Sequence, residues 1–283
     1  MQTIDRVADL RAQVRAWRSA GLRVALVPTL GNLHAGHQQL VRRAGELAER
    51  TLVSVFVNPT QFGPNEDFER YPRTLDADRD KLRAVGADAV FAPPLAEVYP
   101  GGTEEATFVQ VPGLSEILCG AARPGHFRGV ATVVSRLFNM VQPDLAVFGE
   151  KDWQQLLVIR RMTRDLAFPV EVVGVATVRE PDGLALSSRN AYLTPEQRSH
   201  APLLSQVLRE TAAALGRGRS DYQALESQAV AALERAGFRP DYVVIRDATS
   251  LSPPRPNQEP ASLRLLAAAW LGSARLIDNV GAN

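Results

Sequence analysis

The chain has 283 residues and 45% apolar side chains, enough for one large domain or two of ordinary size with a filled core. Its net charge of +1 provides no basic excess for nucleic acid, and its single cysteine, Cys119, excludes an intrachain disulfide. Residues 1–6 hold no apolar signal core and no apolar run approaches a membrane span, so a soluble, cytoplasmic protein without a membrane partner is expected.

In chain order, residues 4–20 have helical periodicity and end at Gly21. Short apolar runs at 23–28, 52–57, 89–92, 145–148 and 170–175 read as strands. Between them, 38–50, 75–85, 130–141 and 153–166 read as helices. This alternation predicts an α/β fold, a Rossmann-like parallel sheet with right-handed crossovers. Ligands of such sheets lie beyond the carboxyl ends of the strands.

After Val175 the pattern changes. Residues 176–190 read as irregular, with a turn at Pro181-Asp182-Gly183. Thr194-Pro195-Glu196-Gln197 has the form of a capping box with proline at the first helical position. Amphipathic helices are expected at 195–215 and 221–236, then strands at 241–246 and 262–271. The predicted organisation is a Rossmann-like domain over residues 1–178 and a smaller C-terminal α+β domain over 179–283.

The turn after the strand at 23–28 is the most informative stretch: Leu30-Gly31-Asn32-Leu33-His34-Ala35-Gly36-His37. A glycine-containing strand-to-helix turn presents backbone N–H groups and the positive end of a helix dipole, a seat for phosphate. One histidine at a helix start is ordinarily a cap or a satisfied polar group. Here two of the chain's four histidines share one turn, which favours a functional reading. His-x-Gly-His in this position resembles the mark of the nucleotidyl-transferring superfamily that includes class I aminoacyl-tRNA synthetases and small adenylyl- and cytidylyltransferases.

Four further segments carry polar groups at expected strand ends or loops. Asn58 and Gln61, in Phe56-Val57-Asn58-Pro59-Thr60-Gln61-Phe62-Gly63, bring amides suited to a hydroxy acid, although Asn-Pro alone reads as a turn. The basic loop Ala122-Arg123-Pro124-Gly125-His126-Phe127-Arg128-Gly129-Val130 reads equally as an anion clamp or a solvated loop. Gly149-Glu150-Lys151-Asp152 places one of only two lysines at a strand end, with Asp152 as a candidate partner of phosphate-bound Mg2+ and Gln155 one turn on. Its plain alternative is an acidic helix start with an exposed lysine. Leu186-Ser187-Ser188-Arg189-Asn190 offers hydroxyls and a guanidinium to a triphosphate, or else forms a serine-rich linker.

Taken in order, these segments resemble the pantoate–β-alanine ligase family over nearly the whole chain. The likeness extends to Arg70-Tyr71-Pro72-Arg73-Thr74 and to the end of the chain, Ala268-Ala269-Trp270-Leu271-Gly272-Ser273-Ala274-Arg275-Leu276-Ile277-Asp278-Asn279. Leu30 stands where the family usually has methionine and keeps the apolar bulk. The resemblance implies an ATP-dependent, Mg2+-assisted ligase acting through pantoyl adenylate, and a homodimer. It implies that His34 and His37 stabilise charge on the phosphates, with His37 as proton donor, and that Lys151, Ser187, Ser188 and Arg189 hold the β- and γ-phosphates. Leu30 to His37, Gly149 to Asp152, Val178 and Leu186 would line the nucleotide. Gln61, Gln155 and Asn58 would bind pantoate, Gln61 also β-alanine. The C-terminal domain would close over ATP, with residues 176–183 as the hinge. The alternatives are another nucleotidyltransferase of the superfamily and a non-catalytic nucleotide-binding protein.

Overall fold

Strand β1 (Gln2–Ile4) opens the chain in the computed structural model, which describes residues 1–64, 66 and 68–282. There follow α1 (Val7–Ser19), β2 (Val24–Thr29), α2 (Ala35–Leu47), β3 (Arg50–Val55), α3 (Leu75–Ala84) and β4 (Ala89–Phe91). Two single-turn helices, α4 (Leu95–Val98) and α5 (Cys119–Ala122), precede α6 (His126–Val141), β5 (Leu145–Gly149), α7 (Trp153–Asp165) and β6 (Glu171–Val175). The six strands form one sheet in the order β1-β4-β3-β2-β5-β6, every pair parallel.

The strands are apolar on both faces because helices cover both. Ala25 and Val27 of β2 share one cluster with Leu40, Val41 and Ala44 of α2 and Leu82 of α3. Val24 and Leu26 alternate to the other side and are also fully buried.

Three boundaries differ from the sequence reading. Ile4 belongs to β1, paired with Phe91, and not to the first helix. Three residues are too few to display a period of two, so the helical pattern that follows absorbed them. Helix α2 begins at Ala35 and ends at Leu47, because Ala48 is extended (φ −148°, ψ 153°). Helix α6 starts at His126.

By its contacts the chain divides into two compact units, Met1–Glu150 with Gln155–Ala176, and Lys151–Gln154 with Thr177–Asn283. The second unit contains α8 (Pro195–His200), α9 (Leu203–Gly216), α10 (Tyr222–Arg235) and an antiparallel sheet of β7 (Arg239–Asp247), β8 (Leu263–Leu271) and β9 (Ala274–Gly281). Leu204, Leu208, Leu225 and Leu233 from the helices pack on Val243, Ile245, Leu265, Ala267 and Leu276 from the sheet.

The single helix expected at 195–215 is two helices. Pro202 has no N–H to donate into the preceding turn, so the chain stops after His200 and restarts at Leu203. Residues 178–186, read as irregular, form a tight hairpin. Arg179 bridges Ala185, the Leu186 N–H donates to the Val178 carbonyl at 2.9 Å, and Gly183 sits at the tip with φ +94°. Arg179 then anchors this hairpin to the buried Asp278 through two bonds of 2.6 and 2.9 Å. Residues 178–186 are therefore part of a built element.

Candidate active site

Strand order reverses between β2 and β5: β3 and β4 lie on one side of β2, and β5 and β6 on the other. In parallel sheets this switch point is where a crevice opens at the carboxyl ends. Strand β2 ends in the histidine turn and β5 ends at Gly149, so the sequence motifs fall at the place the topology favours.

His34 is the N-cap of α2. The Gly36 N–H donates to His34 Nδ1 at 3.1 Å, and the His34 N–H donates to His37 Nδ1 at 3.3 Å. The two rings lie 4.1 Å apart, centroid to centroid. A ring nitrogen that accepts carries no proton, so both imidazoles are assigned as neutral Nε2–H tautomers. Each therefore carries its N–H on the ring edge away from the amides it caps.

The backbone of the turn is less available than its sequence suggests. The Gly31 N–H donates to Thr29 Oγ1 at 3.3 Å. The Asn32 and Leu33 N–H groups donate to the two carboxylate oxygens of Asp78 at 2.9 and 2.8 Å. With the amides of His34 and Gly36 also engaged, five of the turn's N–H groups already have partners. The side-chain imidazoles, more than the amides of Gly31 to His34, are the groups suited to meet a phosphate. Leu30 is partly exposed beside them.

Gln61 ends a 3-10 turn, Pro59–Gln61, capped by Asn58. Asn58 is fully buried. Its Nδ2 donates to Gln61 Oε1 at 3.2 Å and to the Gly129 carbonyl at 3.1 Å. Its Oδ1 accepts from Thr60 Oγ1 at 3.0 Å and Tyr99 Oη at 2.9 Å. Both amide hydrogens are thus used inside the protein, where they hold Gln61 and the Gly129 backbone. Fixing Gln61 Oε1 on Asn58 also fixes Gln61 Nε2 as the donor turned the other way. The turn packs so closely on α6 that a Cβ on Gly129 would lie 2.2 Å from the Thr60 carbonyl oxygen. Gly129 is therefore needed for close approach.

The basic loop is also committed internally. Arg123 grips Glu66 with two bonds, Nε to Oε1 at 2.7 Å and Nη2 to Oε2 at 2.5 Å. Burial works to raise the Glu66 carboxyl, but the bonds and charge of Arg123 hold it below the usual value. His126 donates from Nδ1 to the Gln61 carbonyl at 2.8 Å and accepts at Nε2 from Arg123. Arg123 and His126 thus brace Gln61.

In the second unit, Lys151, Ser187, Asn190 and Asp278 line one small cavity. The Lys151 ammonium lies 3.9 Å from the Asp152 carboxylate, and its side chain is 19% exposed. Its carbonyl is held by Asn279 Nδ2 at 2.8 Å, and Arg264 donates to Asn279 Oδ1 at 2.6 Å while stacking on Trp153 at 3.4 Å. Ser187 caps the 3-10 turn Ser188–Tyr192, which carries Ser188 and Arg189. Asn190 Oδ1 is buried beside these groups with no partner among the described residues. The hairpin bond noted above joins Val178 to Leu186. In the first unit, Glu150 follows Gly149, and Gln155 lies half-buried on the first turn of α7.

Sequence reading missed Asp78, Lys81, Asn279 and Arg264. Asp78 looked like an ordinary acid in a helix's first turn, and its partners lie 45 and 46 residues away. The scarcity of lysine was the available signal for Lys81.

A profile of the family described as Pantoate-beta-alanine ligase matches residues 2–281. A pantothenate synthetase of Pseudomonas putida is 56% identical over 280 residues, 99% of this chain and 97% of that protein. The crystal structure of pantothenate synthetase from Thermus thermophilus superposes with a TM-score of 0.91 at 50% identity, covering 100% and 99% of the two chains. A Francisella tularensis pantoate-beta-alanine ligase, solved as a complex with beta-gamma ATP and beta-alanine, gives 0.78 at 30% identity, covering 100% and 98%. With a family match along nearly its entire length, this chain belongs to the pantoate–beta-alanine ligase family.

Proposed function

We propose that this chain condenses (R)-pantoate with β-alanine at the expense of ATP, in two steps. A carboxylate oxygen of pantoate attacks the α-phosphorus of ATP. The bond to the bridging oxygen breaks, and pyrophosphate leaves with the electron pair. The amine of β-alanine then attacks the acyl carbon of pantoyl adenylate. AMP leaves on its phosphate oxygen, the nitrogen loses a proton, and pantothenate forms.

The observation that carries this reading is the pair of imidazoles at the switch point, each with Nδ1 accepting a backbone N–H, which assigns the proton to Nε2. Such donors stabilise charge that develops on phosphate oxygens, and His37 Nε2–H can pass a proton to the leaving group. Lys151, Ser187, Ser188 and Arg189 hold the β- and γ-phosphates. Leu30 to His37, Gly149 to Asp152, Val178 and Leu186 line the nucleotide. Gln61 Nε2 and Gln155 orient pantoate, and Gln61 also meets β-alanine. Mg2+ arrives with ATP. Asp152, with a side chain 46% exposed, is the carboxylate that fits an ion otherwise held by phosphate oxygens and water.

In this reading residues 1–178 form the catalytic domain and residues 179–283 a lid. The enzyme works as a homodimer in the cytoplasm, without a nucleic-acid partner. Sedimentation that shows a monomer during turnover would refute the dimer. Among the described residues no helix is long and apolar enough to cross a membrane.

The test is AMP formation with pantoate, β-alanine and Mg·ATP, leaving out each in turn. AMP should accumulate over many turnovers only when all are present, in a one-to-one ratio with amide product. Turnover without β-alanine, or a product that retains the nucleotide, would instead identify a nucleotidyltransferase.

A further inference from the structure

We infer that Asp78 and Lys81, one turn apart on α3, are positioning residues for the adenylation step, clamping the peptide that delivers His34 and His37. The inference rests on reading those histidines as the phosphate donors. Asp78 is fully buried, and its carboxylate accepts from the Asn32 and Leu33 N–H groups and from Thr74 Oγ1 at 3.1 Å. Gly31 at φ +87° and Asn32 at φ +50° turn successive amides toward one point. Such a nest ordinarily receives an external anion. Here the protein's own carboxylate fills it.

Lys81 completes the grip. Its Nζ donates to the Leu33 carbonyl at 2.7 Å. The N–H and C=O of Leu33 are thus both held from α3, and the next residue is His34. With that peptide fixed, His34 enters the helix extended (φ −129°, ψ 177°), with its N–H on His37 Nδ1 and its own Nδ1 under the Gly36 N–H. The clamp therefore sets both imidazole tautomers without touching either ring. The turn also packs closely on its surroundings, since a Cβ on Gly31 would meet Val55 Cγ1 at 3.1 Å and Asp78 Oδ2 at 3.2 Å.

The test compares Asp78→Asn, Lys81→Met and Lys81→Arg with the wild-type enzyme. Asparagine keeps the shape but replaces one acceptor with a donor, which would face an N–H group. Methionine keeps the stem and loses the bond to Leu33. Two readouts are taken: 15N spectra of the imidazoles, and pantoate-dependent pyrophosphate–ATP exchange per folded molecule. Asp78→Asn and Lys81→Met should cut exchange by about 10²-fold, the scale for misplacing a reacting group by about 1 Å. KM for β-alanine should stay within about twofold, as for a residue acting on the other step. The His34 and His37 signals should leave the pure Nε2–H pattern in both variants, and Lys81→Arg should restore it with most of the rate. Wild-type spectra and wild-type exchange per folded molecule in Lys81→Met would overturn the proposal, even if Asp78→Asn fails to fold. If the wild-type enzyme catalyses no exchange, the adenylation reading fails, while the spectra still decide whether the clamp sets the tautomers.

Discussion

Replacing Lys151 with alanine should lower turnover by about 10²-fold or more, the scale for removing one electrostatic stabiliser of a transition state. The unfolding midpoint should hardly move. What ties Lys151 to the fold is its backbone, through the Asn279 amide on its carbonyl, and truncation leaves that bond intact. The side chain contributes an ion pair with Asp152 at 3.9 Å, with the partner 46% exposed. Exposed pairs of that kind contribute about 0–1 kcal/mol. The lost rate therefore reports an interaction with the reacting phosphates and not with the protein. A urea titration beside steady-state kinetics checks it. A large fall in stability with unchanged activity per folded molecule would place Lys151 in the architecture instead.

His37 should be separable into its two jobs. Its Nδ1 caps α2 by accepting the His34 N–H, while its Nε2–H, on the opposite ring edge, is the donor in the proposed mechanism. Asparagine puts an acceptor near the Nδ1 position but has nothing at Nε2. His37→Asn should therefore retain most of the cap and lose about 10²-fold or more in adenylation, within the range for general acid catalysis. Glutamine reaches the Nε2 position with an amide donor but does not supply the same cap. His37→Gln should keep more activity than His37→Asn and melt at a lower temperature, since losing a cap costs about 1 kcal/mol. Thermal melts and exchange rates on both variants decide the matter. Equal activity in the two would show that the Nε2–H does not act on substrate.

The parts of this site that were legible in the sequence are those whose chemistry is stated by residue type. Paired histidines in a strand-to-helix turn, and a lysine in a chain that otherwise uses arginine, announce themselves. The alternation of runs and helices likewise conveyed the parallel sheet, because burial on both faces leaves strands continuously apolar. What stayed hidden depends on long-range pairing. Asp78 reads as a helix-start acid until the fold brings two backbone amides to it. That Asn58 also holds Gly129, Tyr99, Thr60 and Gln61 shows only in the fold. Strand β9 alternates in burial from Ala274 to Asp278 but puts the polar Asp278 on the buried side, which masks the pattern, and its Asp278 and Asn279 anchor Arg179 and Lys151. Strand β1 was too short to show a period at all.

In the proposed mechanism pantoate is adenylated before the amine enters. Pyrophosphate–ATP exchange with labelled pyrophosphate measures that step directly. Label should enter ATP when pantoate and Mg2+ are present and β-alanine is absent, and should not enter without pantoate. Exchange that appears only after β-alanine is added, or that proceeds equally well without pantoate, would contradict the account.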